Sequence, residues 1–440
     1  EQANGESSKM KEIPSHAETS YCMGLVYPHI HSLDEAIEEL NRMIQSNYQH
    51  PNALYCQGIL YIRKDDFDLA LDIFNKLIEL DPNYAKAYSQ RGSIYYYKRN
   101  NINHALVDFN QALTLNPKDV IALSGRGNIF EDQEKYPAAI NDFTQAISLD
   151  PQNTHFYDRR CYIYFKNQNF YESIADANLA LKINPYDADA YYCLGLSNKA
   201  LGDSDSAIIY YNKALEIDPT HIYVYRNRGL AYSDLKNFEQ AIADYTKAIE
   251  FDPTYVKPYI DRGAAYSILG DSQKAMADYN KAIELKPNSY HGYRSRGIEY
   301  QKNSNFAQAI ADFNKAIEID PQTPDAYINR GMSFANHGDL EKAMADYNKA
   351  IDVDPNAYLA FYNRGTIYQE SNKFEEAFFD YNKTIQLNPK YAGAYWGRAV
   401  VNANRGEYAE ACKDADESER LGLRLPSPYL EELKTHCRGK

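Results

Sequence analysis

Small and apolar residues recur along this chain at a fixed interval, and proline marks it. Pro82, Pro117, Pro151, Pro185, Pro219, Pro253, Pro287, Pro321, Pro355 and Pro389 stand 35 residues apart once and 34 apart thereafter. A period of that length predicts an array of one supersecondary unit. In register, the chain gives twelve repeats: 17–50, 51–84, 85–119 with one extra residue, then 120–153, 154–187, 188–221, 222–255, 256–289, 290–323, 324–357, 358–391 and 392–425. Residues 1–16 stand outside as a linker or disordered N-terminus.

Position 8 is glycine in ten repeats, with Cys161 and Ala399 in the other two, and position 20 is alanine in all but one, where Ser173 stands. Small residues at these places let two helices approach closely. Apolar or aromatic residues at positions 11, 24 and 27 fall at helical spacing around them, so each repeat is expected to be a helix hairpin. Asp66, Asn169, Asp203, Asn237, Asp271, Asn305 and Asp339 are placed to cap the second helix, and Gly202, Gly270 and Gly338 to end the first. The Asp-Pro or Asn-Pro step ends the second, because the residue before proline leaves the α region.

These residues resemble the tetratricopeptide repeat. In residues 256–289, Gly263, Tyr266, Ala275, Tyr279, Ala282 and Pro287 occupy six positions of that pattern, and the likeness extends over residues 17–425. It implies an all-α fold, an α-solenoid of about twelve hairpins wound into a right-handed superhelix whose concave groove is lined by the first helices. The stacking agrees with the nearest-neighbour logic of repeat arrays. Repeat one is expected to be an irregular cap, with Pro28 inside its first helix and Tyr48 in place of the proline. Residues 426–440 are read as a capping helix and tail in which Leu430 and Leu433 cover repeat twelve.

One departure from the family stands out. Position 7 is arginine in nine repeats and position 23 is aspartate in the same nine: Arg91 with Asp108, Arg126 with Asp142, Arg160 with Asp176, Arg228 with Asp244, Arg262 with Asp278, Arg296 with Asp312, Arg330 with Asp346, Arg364 with Asp380, and Arg398 with Asp414. Pairing with the preceding repeat would set Arg91 against Ile73 and Arg228 against Tyr210. A bidentate ion pair between the two helices of one repeat is therefore expected. The alternative is an arginine ladder for an acidic ligand, which the matched aspartates would neutralise. Repeats five and six break the pattern most, with Cys161, Ser173, Ala177, Leu194 and Asn198, which reads either as a hinge or as compensated drift.

Acidic side chains outnumber basic ones 61 to 47, a net charge of -14, which argues against nucleic acid or an anionic membrane as a bulk electrostatic partner. No apolar run is long enough to span a bilayer. The six cysteines form no Cys-x-x-Cys pair, and their low density reads as free buried thiols in a reducing, cytoplasmic compartment. The chain starts without Met, which leaves a removed signal peptide as the other reading.

Catalytic chemistry finds no anchor. His29 and His31 fall on different faces of a helix, and Gly125-Arg126-Gly127 follows no strand. Glu375-Glu376 and Asp65-Asp66 read as solvated faces or caps. Neither an enzyme, a metal nor a cofactor is expected.

The family's groove positions, carried over residue by residue, fall on Tyr21, Tyr55, Lys86, Tyr96, Asn128, Glu131, Asp158, Tyr162, Asp189, Tyr192 and Lys199 in repeats one to six. In repeats seven to twelve they fall on Tyr223, Arg226, Lys257, Ile260, His291, Arg294, Ile298, Ile328, Met332, Tyr362, Thr366, Trp396 and Val400. The second set runs from a basic stretch, with Lys302 beside it, into an apolar and aromatic one. It suits an extended partner segment with an acidic or C-terminal carboxylate part beside hydrophobic side chains. Most of the 41 tyrosines, Tyr232, Tyr245, Tyr266, Tyr279, Tyr300 and Tyr347 among them, are expected in the core with a wet hydroxyl. The chaperone-tail clamp implied by some family members is absent, since Asn128 is partnered by Ser124, and Asn227, Asn329 and Asn363 are too sparse for an asparagine ladder. The reading is a non-catalytic scaffold or adaptor. An RNA-binding helical repeat, or a regulatory subunit of an enzyme complex, is the alternative.

Overall fold

A computed structural model describes residues 33–45, 50–424, 433 and 435. Among them every regular element is an α-helix. Leu33–Gln45 is the second helix of repeat one, and pairs follow at the sequence period, from Pro51–Arg63 with Phe67–Leu80 to Ala392–Asn404 with Tyr408–Arg420. Pro28, Tyr48 and Leu430 lie outside the described residues. The chain divides into two compact bodies, Glu1–Lys236 and Asn237–Lys440. Within each body the helices pack in consecutive pairs, and each second helix also packs on the first helix of the next repeat. The chain is thus a helical-repeat solenoid.

Within a repeat the first helix ends in a left-handed residue. Gly270 takes φ 84 there, where a side chain would be strained. Asp65, Asn100, Glu134, Gln168, Lys236, Ser304 and Asn372 adopt the same conformation without glycine. Asp66, Asp203, Asn237, Asp271 and Asp339 accept a backbone N–H of their second helix as caps. Asn169 and Asn305 have no such side-chain bond, contrary to the expectation.

The small residue at position 8 has a specific cause. A Cβ on Gly263 would stand 2.6 Å from the Tyr279 ring at position 24, and one on Gly195 would stand 2.3 Å from Tyr211. The two repeats without glycine have also lost the ring: Cys161 meets Ala177 in repeat five, and Ala399 meets Ala415 in repeat twelve. All four are essentially inaccessible. The two positions trade volume, so the core stays filled. The rings themselves are drier than expected, since Tyr245, Tyr279 and Tyr347 are 1 to 3% exposed. A ring closed between two helices leaves its hydroxyl no path to water, and Tyr211 Oη has no hydrogen-bond partner in the protein.

Eight of the nine arginines bind their aspartate with both oxygens accepting. Arg262 Nε donates to Asp278 Oδ2 at 2.9 Å and its second nitrogen to Oδ1 at 2.8 Å. Arg228 and Asp244 belong to different bodies. The remaining guanidinium nitrogen reaches back to position 25 of the preceding repeat: Arg296 to Asn280 Oδ1 at 2.7 Å, Arg364 to Asn348 Oδ1 at 2.6 Å, and Arg228 to Asn212 Oδ1 at 2.6 Å. An aromatic ring at position 4 covers the same guanidinium, as Tyr259 does for Arg262 at 5.8 Å. Each of the eight therefore ties two hairpins together, and its donors are committed to the scaffold. Where Leu194 replaces it, Asn178 turns back to donate to Ile174 O of its own helix. Burial pushes the Asp108, Asp176 and Asp380 carboxyls up, with the facing guanidinium pulling the other way. For Arg296 and Arg364 the bond to the aspartate dominates and holds the guanidinium above its ordinary value.

The cysteine expectation is corrected in part. Cys161 and Cys193 are free and buried, but Cys56 and Cys412 are each held in a disulfide of their own. The spacing argument failed because it sees only local motifs, whereas pairing depends on which helices the fold brings together. At the C-terminal end Leu433 is 3% exposed and packs on Ala399, Ala411 and Ala415, with Trp396 and Cys412 alongside.

Candidate functional site

The first helices of repeats eight to twelve lie side by side in the second body, and ten of its eleven candidate groove residues are half-buried or exposed on them. Repeat nine, Tyr290–Lys302, is the polar centre. Arg294 donates to Asp325 Oδ2 of repeat ten at 3.1 Å, while its Nε has no hydrogen-bond partner in the protein. Gln301 Nε2, two helical turns on, and the Tyr290 hydroxyl are likewise buried and unpartnered. Lys302 Nζ donates to Ser267 Oγ at 2.6 Å, and Ser267 in turn to the buried Glu299 carboxylate at 2.5 Å. Lys302 is therefore committed to repeat eight. Burial pushes the Tyr290 phenol up to about 12.

His291 shares this face, its ring 5.3 Å from that of Tyr290. Although exposed at its edge, it is held below the ordinary histidine range by partial burial first, then by Arg294, with Lys257 and Lys286 adding and Asp261 opposing. A neutral imidazole is therefore favoured in the fold. Stability from this group is complete above 6.5 and lost as pH falls through the lower folded value. In an NMR titration His291 should titrate below 6.5, and Arg294→Ala should move its midpoint up. A midpoint unmoved by that change would show that the guanidinium does not act on the ring.

Past repeat nine the face becomes apolar. Met332, Tyr362, Trp396 and Val400 are half-buried, as are Lys257, Ile260 and Ile298 on the near side. Ile328 is not part of the face. It is 6% exposed and packs with Tyr327, Tyr347 and Ala360, because position 5 of repeat ten turns into the core beneath Met332. Thr366 is half committed, donating to Tyr362 O at 3.1 Å. Tyr362 stacks edge-on with Tyr391 at 4.9 Å. Gln301, at groove position 12 like Tyr96, Glu131 and Lys199, was left out of the carried-over set, and Tyr290, at position 1, lies outside those positions.

In the first body, Tyr223 faces the His221 ring at 6.0 Å, and Arg226 is half-buried. A cleft of about 390 Å³ there is lined by Asn52, Tyr55, Asp81, Asn83, Tyr84, Ala85 and Lys86. The carboxylates of Asp158, Asp187 and Asp189 come within 4.8 Å of one another, which is close enough to hold a cation. Asp187 caps a helix by accepting from Ala190 N, and Asp189 lies 3.5 Å from His221 Nε2. Among the described residues, nothing in either arrangement places a nucleophile beside a base and an orienting group.

Comparison with known proteins adds the following. A profile described as tetratricopeptide repeat matches residues 120–153, 188–221, 222–255, 256–289, 324–357 and 358–391, with related profiles on 51–84, 85–119 and 297–338. No curated protein matches the chain. Among solved structures, MamA is 26% identical over 38% of this chain and 92% of its own, with a TM-score of 0.35. YrrB, described as a TPR protein with an unusual peptide-binding site, is 24% identical over 43% of this chain and 97% of its own, with a TM-score of 0.35. Yeast Tom70 is 14% identical over 91% and 96%, with a TM-score of 0.48.

Proposed function

Because the chain belongs to the tetratricopeptide repeat family, a family of protein-interaction scaffolds, we propose that it holds an extended segment of a partner protein against the first helices of repeats eight to twelve. An acidic side chain or C-terminal carboxylate of that segment sits at repeat nine, and its apolar side chains lie towards Met332, Tyr362, Trp396 and Val400. The observation that carries this reading is the pair of unpartnered donors, Arg294 Nε and Gln301 Nε2, on one face of one helix. A buried donor left without an acceptor costs about 1 to 3 kcal/mol, which favours a shift of either side chain outward to a ligand carboxylate. Lys257 and His291 add positive charge or donors beside it, and half-buried aromatic, Met and Arg side chains are the types that carry interface energy. The eight arginines of position 7 that bind their aspartates take no part, since their donors are spent within the fold.

Disulfide-bonded Cys56 and Cys412 support an oxidising compartment for this interaction, in place of the cytoplasm that cysteine spacing suggested. Among the described residues no helix is long and apolar enough to cross a membrane.

A displayed library of random peptides panned against the full chain tests the reading. Wild type should enrich sequences with Asp or Glu beside aliphatic or aromatic residues. Lys257→Glu/Arg294→Glu should bind those sequences at least about tenfold more weakly, or about 1.4 kcal/mol. Enrichment without acidic residues, or binding indifferent to the double change, would remove repeat nine as the anchor.

A further inference from the structure

Cys161 and Cys193 lie on the first helices of repeats five and six, Thr154–Lys166 and Ala188–Ala200, which run side by side with Cα atoms within 8 Å. Both thiols belong to one core cluster with Ala177, Ala180 and Leu194, and they are 0% and 2% exposed. Cys161 is near enough to act on the Cys193 thiol. Cys161 Sγ also lies 3.4 Å from Ser173 Oγ, and Cys193 Sγ 3.9 Å from Asp158 O. Elsewhere position 8 is glycine under a ring. Here Ala177 has replaced the ring, and the room is taken by a sulfur that shares its core cluster with a second sulfur from the neighbouring repeat. The same chain already carries disulfide-bonded Cys56 and Cys412, so its surroundings can oxidise thiols.

We propose that Cys161 and Cys193 form a latent disulfide that, once closed, fixes repeat five to repeat six. The oxidant is a low-molecular-weight disulfide such as oxidised glutathione. The Cys161 thiolate attacks one glutathione sulfur and expels the first glutathione thiolate. The Cys193 thiolate then attacks Cys161 Sγ in the mixed disulfide and expels the second. The protein loses two electrons and two protons, and two glutathione thiols are released. A disulfide spans Cα atoms about 4.4 to 6.8 Å apart, so its closure holds the two helices at close approach. Burial, and then Cys161 itself, hold the Cys193 thiol well above its ordinary value, which keeps the pair reduced until the two helices part.

The test uses the full chain incubated with oxidised glutathione, then alkylated in denaturant and digested with trypsin without reduction. The expected product joins residues 161–166 to residues 183–199, with loss of both alkylatable thiols and their return on reduction. Hydrogen exchange in the two helices should slow in the oxidised chain. Cys193→Ser should yield only the glutathione adduct of Cys161 or no product. Two thiols that stay alkylatable under conditions oxidising the denatured chain, or two separate glutathione adducts in wild type, would overturn the proposal.

Discussion

Asp380→Ala should destabilise the second body by about 3 to 5 kcal/mol, the range for leaving one member of a buried pair uncompensated. The Asp380 side chain is 1% exposed and Arg364 17%, and the two share bonds of 2.8 and 2.7 Å. Removing the carboxylate leaves two guanidinium donors facing a closed helix interface, held there by Asn348 and the Phe361 ring. The double change Arg364→Met/Asp380→Leu should return to within about 1 kcal/mol of wild type, because it removes the desolvated charges together. Urea unfolding followed by the emission of Trp396, the only tryptophan, reads both. Strictly additive losses would show that the two side chains do not act on each other. The pH dependence has a definite sign. Burial lifts the Asp380 carboxyl above 3.8, so its contribution is complete below that value and lost as pH rises through the higher folded one. The double variant should therefore gain on wild type as pH rises out of the carboxylate range.

Tyr279→Ala should cost about 3 to 5 kcal/mol by opening a cavity at position 24. Gly263→Ala alone should cost about 1 to 3 kcal/mol, since its Cβ meets the ring at 2.6 Å and both neighbours are helical. Made together, the two changes should cost clearly less than their sum, because the new methyl enters the space the ring vacates. Repeats five and twelve already use this solution with Cys161 and Ala177, and with Ala399 and Ala415. Denaturant melts of the two single variants and the double read the coupling directly. A double variant as weak as the sum would mean that the ring and the helix do not share that volume.

The hairpin array and its ion pairs were legible because each is written many times over, and recurrence inside one chain substitutes for comparison between chains. The third arm of the arginine was equally readable and was missed. Asn or Thr occupies position 25 in eleven consecutive repeats, but a neutral acceptor offers no charge to match against the arginine. The trade between Gly263 and Tyr279 was visible only in its exceptions, and only if positions 8 and 24 are read together. Ile328 was misplaced because position-by-position transfer assumes that every first helix turns by the same amount. In repeat ten the side chain at position 5 is drawn under Met332. Gln301 stands at position 12 of repeat nine, the place of Tyr96, Glu131 and Lys199 in earlier repeats, so its location was readable, whereas its unsatisfied nitrogen exists only once the helices are packed. Disulfide-bonded Cys56 and Cys412 belong to the same class of fact.

Trp396 lies on the proposed binding face and reports on it without labelling. Titrating the full chain with a short peptide carrying Asp and Glu at one end and Leu and Phe at the other should shift its emission to saturation. The affinity should fall with added salt and with Arg294→Ala, while a counterpart peptide with lysine for each acid should leave the emission unchanged. An emission that ignores the acidic peptide, or answers both peptides alike, would mean that repeats eight to twelve do not grip a carboxylate-bearing segment.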